Sequence, residues 1–317
     1  MRVAIDMQGA QSSSSRFRGI GRYTMAFAQA VVRNRGDHEV ILLLSGLFPE
    51  MIKPIREAFD GLLPPENILV WHAPGPVRDC DSDNHNRREI AELMREAFFA
   101  NLQVDLLHIS SFFEGYSDDC VTSIERFDLV TPVSITIYDL IPILNAKDYL
   151  ASNPPFARHY QRKIDQVKKA KHHLAISEFS RQDAITHLDV SDVTCINIST
   201  AIDPNFQVKV YTDSQNCALL QKLGLTRSFL MCAGGADPRK NLFRFIQAFA
   251  SLPVSTRVGH QLLFVGKMLK QEVVQLTKCA KSAGLKTDEL KFTGYVSDED
   301  LVQLYNLCKL YVFPSWY

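Results

Sequence analysis

Short apolar runs alternate along this chain with longer stretches in which apolar positions recur every three to four residues. Val3–Asp6, Val40–Leu44, Ile68–Trp71, Leu106–Ile109, Val133–Tyr138, Leu174–Ile176 and Val193–Ile198 have the length and composition of buried strands. Between most of them the spacing predicts helices, from about Ile20 to Val32, over Arg87–Ala100, over Phe156–Lys171 and over Glu178–Leu188. The stretch QGAQSSSSRFRG (8–19) reads as a polar loop. Strands of this kind separated by helices imply a mainly parallel sheet covered on both faces. The alternation restarts at Phe229, with strands at 229–233, Gln261–Val265, Leu290–Phe292 and Leu310–Phe313, and helices at 241–251, Leu269–Ser282 and Asp298–Leu307. Asp203–Arg227 carries no clear pattern. The expectation is two doubly wound, Rossmann-like α/β domains, 1–205 and 206–317, with ligands bound beyond the carboxyl ends of the strands, in the cleft between them.

The stretch FLMCAGGADPRKNLFRFIQAFASL (229–252) organises the second half. A strand passes through Gly234 and Gly235 into Asp237, Pro238, Arg239, Lys240 and Asn241, which open a helix with apolar positions at Leu242, Phe245, Ile246 and Phe249. Helix-start N–H groups and the positive end of the helix favour an anion there, and Arg239 and Lys240 add two charges. The competing reading is an ordinary strand–loop–helix unit with two solvated cations.

Composition narrows the classes. At 317 residues, 46% hydrophobic and 22% charged, the chain is a soluble type able to bury two cores. Lysine plus arginine equals aspartate plus glutamate at 35 each, so net charge does not call for nucleic acid. Seven cysteines without a CxxC spacing suit a reducing cytoplasm, and no run approaches the ~18 apolar residues of a membrane span.

Five segments, FRGIGRYT (17–24), SITIYDLIPI (134–143), AISEFSRQDAI (175–185), CAGGADPRKNLFRFIQAF (232–249) and FTGYVSDEDLVQLYNLCKLYVFPSWY (292–317), together resemble the retaining GT-B glycosyltransferases of family 4. Within them the chain is similar to bacterial enzymes, often mannosyltransferases, that build surface polysaccharides. The resemblance implies a nucleotide-sugar donor, GDP-mannose favoured, a glycan or lipid-linked acceptor and no cofactor or metal. It implies that Gly19 and Gly21 line the donor phosphate, that Arg239 and Lys240 grip the diphosphate, and that the nucleobase rests on Gly294, Tyr295 and Val296. Tyr138 and Asp139 match the catalytic position where many relatives have His-Asp, and the tyrosine is a departure. In many relatives an arginine follows the first glycine after the strand; Gly235 stands there, so Arg239 is expected to supply the guanidinium. The family pattern continues past PSWY into a glutamate-rich segment. Against that pattern the second domain is expected to be C-terminally truncated, the chain by itself to bind donor weakly and transfer negligibly, and apolar surface around Leu310–Phe313 to be exposed.

Other signals compete. Asp81-Ser82-Asp83 is a DxD like the metal ligand of GT-A transferases, yet its Pro-, Gly- and Asn-rich surroundings favour a surface loop. Gly19-Ile20-Gly21 begins like a dinucleotide fingerprint but has Thr24 where the third glycine belongs. The basic run RKIDQVKKAKHH (162–173) reads either as cations offsetting a helix dipole in the last turn or as a peripheral contact with anionic lipid at the inner membrane face. His108 suits a cleft or a core equally. A non-catalytic nucleotide-sugar-binding module is the remaining alternative to an enzyme.

Overall fold

The computed structural model describes residues 1–317 as two compact units, Met1–Thr200 and Ala201–Tyr317. The first is a seven-stranded parallel sheet of β1 (Arg2–Asp6), β2 (Glu39–Ser45), β3 (Ile68–Trp71), β4 (Leu106–Ile109), β5 (Val133–Ile137), β6 (His172–Ala175) and β7 (Cys195–Asn197). Its order is β3-β2-β1-β4-β5-β6-β7, so the topology reverses between β1 and β4. The second is a four-stranded parallel sheet of β8 (Ser228–Ala233), β9 (His260–Val265), β10 (Leu290–Phe292) and β11 (Leu310–Tyr311), in the order β10-β9-β8-β11.

Unbroken apolar strands are buried on both sides because successive residues face opposite layers. Ile41 and Leu43 of β2 join the core that includes Ile109, Ile135 and Ile137, whereas Val40, Leu42 and Leu44 join the core with Ala28, Val32 and Phe59. In the second unit Leu262 and Phe264 of β9 pack with Phe245, Ile246 and Phe249, and Leu263 and Val265 pack with Leu219 and Leu304. No helix is long and apolar enough to cross a membrane.

Several sequence expectations change. The polar loop expected over 8–19 holds for 12–18, but Gln8–Gln11 forms a buried helical turn whose glutamine side chains bond across the fold. The helix expected over Phe156–Lys171 is Pro154–Val167, capped by Asn153, whose side chain accepts from the Phe156 N–H at 3.2 Å. His172 and His173 therefore open β6 rather than closing a helix, and His173 Nε2 donates to the Val167 carbonyl at 2.9 Å. Two cations of the basic run turn inward: Arg162 bonds Glu92 and Asp79, and buried Lys163 donates to Thr122 O and Oγ1 at 2.5 and 2.6 Å. Among the cations of that run, Lys168, Lys169 and Lys171 are the exposed ones, with acidic Asp165 exposed beside them. The featureless stretch 203–227 holds a helix at Asp213–Lys222, started by a reciprocal Thr212–Gln215 cap. The apolar edge expected near the last strand is present, with Leu310, Phe313 and Trp316 more than half exposed.

A buried polar lattice ties the loop after β1 to the long loop after β4. Arg95, with no exposed surface, donates from Nε and Nη2 to Asp6 Oδ2 at 3.1 and 2.5 Å and from Nη1 to the Ser123 carbonyl at 3.2 Å. Gln8 donates to the Val121 carbonyl at 2.7 Å and accepts from the Val121 N–H at 2.9 Å. Glu96 accepts from Ser123 Oγ and from the N–H groups of Arg126, Phe127 and Asp128. His108 is a core residue, bonded to Ser134 Oγ at 2.9 Å and Thr136 Oγ1 at 3.1 Å, and burial lowers its pKa from 6.5 to about 4.

Two outcomes follow from that lattice. Arg95→Leu leaves the Asp6 carboxylate buried without its cation, so urea denaturation followed by circular dichroism should show a loss of about 3–5 kcal/mol; a loss under about 1 kcal/mol would mean that Asp6 reaches solvent. Because the unfolded chain protonates His108 near 6.5 while the folded chain resists until about 4, stability falls as pH drops through that window. His108→Gln should flatten this part of the stability profile.

Candidate functional site

In the second unit the candidate residues gather at one edge of the sheet. Gly234, Gly266 and Gly294 follow β8, β9 and β10 at their carboxyl ends, with φ of 123°, 125° and 66°. Positive φ favours glycine at each. Gly234 N–H donates to the Val265 carbonyl at 2.8 Å, and Gly266 N–H donates to the Gly294 carbonyl at 3.1 Å. A Cβ on Gly266 would lie 3.0 Å from the Gly234 carbonyl oxygen. Three neighbouring strands thus end in bare main chain, which lets a ligand approach the backbone.

Lys240 stands beside this edge, whereas Arg239 turns to Asp237 Oδ1 and the Tyr317 carbonyl, each at 3.5 Å; neither lies on the helix expected to carry them. Pro238–Lys240 is a separate 3₁₀ turn, in which Asp237 Oδ1 accepts from the Arg239 N–H at 3.0 Å. Asn241 takes a left-handed conformation, φ 57°, and the helix Leu242–Ala250 begins after it. The Asn241 side chain does not cap that helix and donates to the Pro314 carbonyl at 3.1 Å. The helix start therefore has no side-chain cap. Lys240 Nζ lies 4.6 Å from the centre of the Phe313 ring, and its Cε lies 3.9 Å from where a Cβ would sit on Gly234. Burial, then the neighbouring Arg239, lowers the Lys240 pKa. Tyr295 is 75% exposed beside Gly294, while Val296 packs inward against the core.

In the first unit the predicted residues lie around the carboxyl ends of β1, β4 and β5. Gly21 packs where a Cβ would meet the Arg16 main chain at 2.4 Å, whereas Gly19 faces open space. Both sit in the first turn of the helix Gly19–Arg33, whose preceding residue supplies no side-chain cap. Tyr138 follows β5 and meets Tyr23 edge to face at 5.4 Å; burial raises the pKa of its hydroxyl. Asp139 Oδ1 accepts from the Ile141 N–H at 3.1 Å and so shapes the short helix Ile141–Leu144.

Sequence reasoning missed the acidic loop EGYSDD (114–119) between β4 and β5. Asp118 is fully engaged, accepting from Ser12 Oγ and from the N–H groups of Gly115 and Cys120. Glu114 is different: its Oε1 accepts from Ser111 Oγ at 3.2 Å, and burial followed by the Asp118 charge raises its pKa against the lowering effects of Ser111, Ser15 and Arg18. A carboxylate-bearing loop following an apolar strand was the available signal. Asp81, of the DxD, accepts from the Asp83 N–H at 3.2 Å and caps its own turn.

Residues 221–317 match the family model described as Glycosyl transferases group 1. The chain is 34% identical to the serotype-specific mannosyltransferase WbdA of Escherichia coli over 99% of its own length and 37% of that protein's. It therefore spans little more than a third of this curated relative. Among solved structures, Anabaena Alr3699/HepE in complex with UDP is similar at a TM-score of 0.61 and 17% identity, over 100% of this chain and 74% of that one. WaaG, a glycosyltransferase involved in lipopolysaccharide biosynthesis, is similar at 0.60 and 16%, over 99% and 75%. The α/β architecture with parallel sheets is thus that of GT-B glycosyltransferase structures.

The glycine edge makes its own prediction. Gly266→Ala forces a side chain into a backbone conformation that strongly favours glycine and against the Gly234 carbonyl. The cost should be about 1–3 kcal/mol, read as a lower urea midpoint, whereas Gly19→Ala, in open space on a helix, should leave the midpoint unchanged or raise it. Equal midpoints for Gly266→Ala and the parent would mean that the turn after β9 relaxes freely.

Proposed function

We propose that the protein is a glycosyltransferase that moves a hexose, with mannose favoured, from a nucleotide sugar to a growing bacterial surface glycan. The observation that carries this reading is the bare glycine edge of the second sheet with Lys240 beside it, Arg239 on the same short turn and an uncapped helix start following them. When a sugar leaves a nucleoside diphosphate, negative charge grows on the diphosphate. Main-chain N–H groups and cations already in place stabilise that charge without reorganising. Arginine offers a fork to two phosphate oxygens, and lysine adds a compact charge. Exposed Tyr295, with Gly294 and Val296, supplies the surface for the nucleobase.

The match of residues 221–317 to a glycosyltransferase family and the similarity to a mannosyltransferase support transfer and a mannose donor. GDP-mannose is the favoured donor, and the acceptor is a glycan or lipid-linked saccharide. We further propose retention of configuration, with the acceptor hydroxyl entering on the leaving-group side and a donor phosphate oxygen taking its proton. Gly19 and Gly21 at an open helix start serve a phosphate, and Tyr138 and Asp139 serve the reacting sugar. The reaction belongs in the cytoplasm, with any peripheral membrane contact left to Lys168, Lys169 and Lys171 from the basic run.

Isothermal titration of the chain with GDP, UDP and ADP, and with their sugar conjugates, tests the donor assignment, with GDP expected to bind best. Arg239→Ala and Lys240→Ala should each weaken nucleoside diphosphate binding about tenfold or more, since hydrogen bonds to charged partners are worth ~1.5–3 kcal/mol. Circular dichroism should show both variants folded. Affinities equal to the parent's in both would remove these residues from the site.

A further inference from the structure

β8 and β11 are parallel neighbours in the second sheet, so the segments that leave their carboxyl ends run side by side. One passes through Gly234 into the turn Pro238–Lys240, and the other is the stretch from Phe313 to Tyr317. Contacts join the two along their length. The Trp316 N–H donates to the Arg239 carbonyl at 3.1 Å, and Arg239 Nη1 approaches the Tyr317 carbonyl at 3.5 Å. Asn241 Nδ2 donates to the Pro314 carbonyl at 3.1 Å. The Lys240 ammonium stands over the Phe313 ring, 4.6 Å from its centre.

Core packing does not account for Phe313 or Asn241. Val312 packs against the second unit's core, whereas the Phe313 ring is 60% exposed and lies outside both clusters. That ring gains little from burial, yet its face meets the cation that also approaches Gly234. Asn241 holds φ at 57°, leaves its own helix without a side-chain cap and commits its amide to Pro314 instead. A lysine side chain has large rotamer freedom, so a site that needs its charge in one place must restrain it. A ring face restrains an ammonium through its quadrupole and leaves the three N–H donors for another partner, where a carboxylate would neutralise the charge.

We propose that Phe313 and Asn241 are positioning residues for the donor diphosphate: the Phe313 ring holds the Lys240 ammonium beside the bare turn at Gly234, and the Asn241 amide ties the turn carrying Lys240 to the segment carrying Phe313. The inference rests on the proposed function for a diphosphate at this edge, and it adds residues that act on it through Lys240.

The test is isothermal titration of the 317-residue chain with GDP, UDP and ADP, continued in each variant with the nucleotide the parent binds best. Phe313→Leu keeps an apolar side chain and removes the ring face; it should weaken binding about threefold to fivefold, with a urea midpoint close to the parent's because the position is exposed. Phe313→Tyr restores the ring face and should recover most of that loss. Since Phe313 acts through Lys240, the double variant Lys240→Ala/Phe313→Leu should bind no more weakly than Lys240→Ala alone. Asn241→Gly permits the left-handed conformation but lacks the amide, and should weaken binding about threefold or more in a chain that circular dichroism shows folded. Affinity equal to the parent's in Phe313→Leu or in a folded Asn241→Gly, or losses that add in the double variant, overturns this inference and leaves the proposed function standing. Failure of all three nucleotides to bind the parent overturns both together.

Discussion

The first unit depends on the ion pair between Asp6 and Arg95, both buried. Asp6 ends β1, an interior strand of the sheet, and a charge there is tolerable only because Arg95, the Gln8 N–H and the Gln8 side chain surround it. Arg95 and Gln8 also hold the main chain of Ser123 and Val121. One buried carboxylate therefore sets the positions of two loops that are remote in sequence. The segment from Ser110 to Asp128 has little regular structure, and its backbone groups would otherwise be exposed or unpaired. Lys163 extends the same logic: burial and nearby Arg162 lower its pKa to about 7, and its protons go to Thr122.

The second unit solves its site differently. Its candidate surface is made by omitting side chains at the ends of β8, β9 and β10, so the main chain itself is the surface. Cations are then added from a turn that Asp237 and Asn241 fix locally. Polar side chains shape the first unit's crevice, and bare backbone with two charges shapes the second unit's edge.

The fold was legible because buried parallel strands need continuous apolar runs, and β2, β3, β8 and β9 announce themselves in that way. Errors fell where side chains bond across the fold. Gln8–Gln11 reads as polar loop because glutamine is usually solvated, yet both glutamines are buried by partners more than thirty positions away. Helix Pro154–Val167 was extended too far because Lys168–His173 keeps helical composition; the Lys171 N–H instead donates to the Val133 carbonyl, which draws the chain into the sheet. Pro54 inside Pro49–Ala58 disguised that helix. Gly19, Gly21, Arg239, Lys240 and Gly294 are candidates through the family resemblance of the segments that contain them. Glu114 could not be picked out, since nothing local separates it from Asp118 and Asp119.

By itself the sequence determined the alternation of strands and helices, the two units and the glycines at the ends of strands, because each depends on near neighbours along the chain and on residue type. Only the tertiary structure decided which polar residues are buried and which partners satisfy them. Asp118 and Glu114 are four residues apart and of the same charge type. Asp118 accepts from the nearby N–H groups of Gly115 and Cys120 and from distant Ser12 Oγ, whereas Glu114 accepts from Ser111 Oγ. That difference comes from desolvation and from the geometry of groups distant in sequence, Ser12, Ser15 and Arg18 among them, and it exists only once the chain has folded.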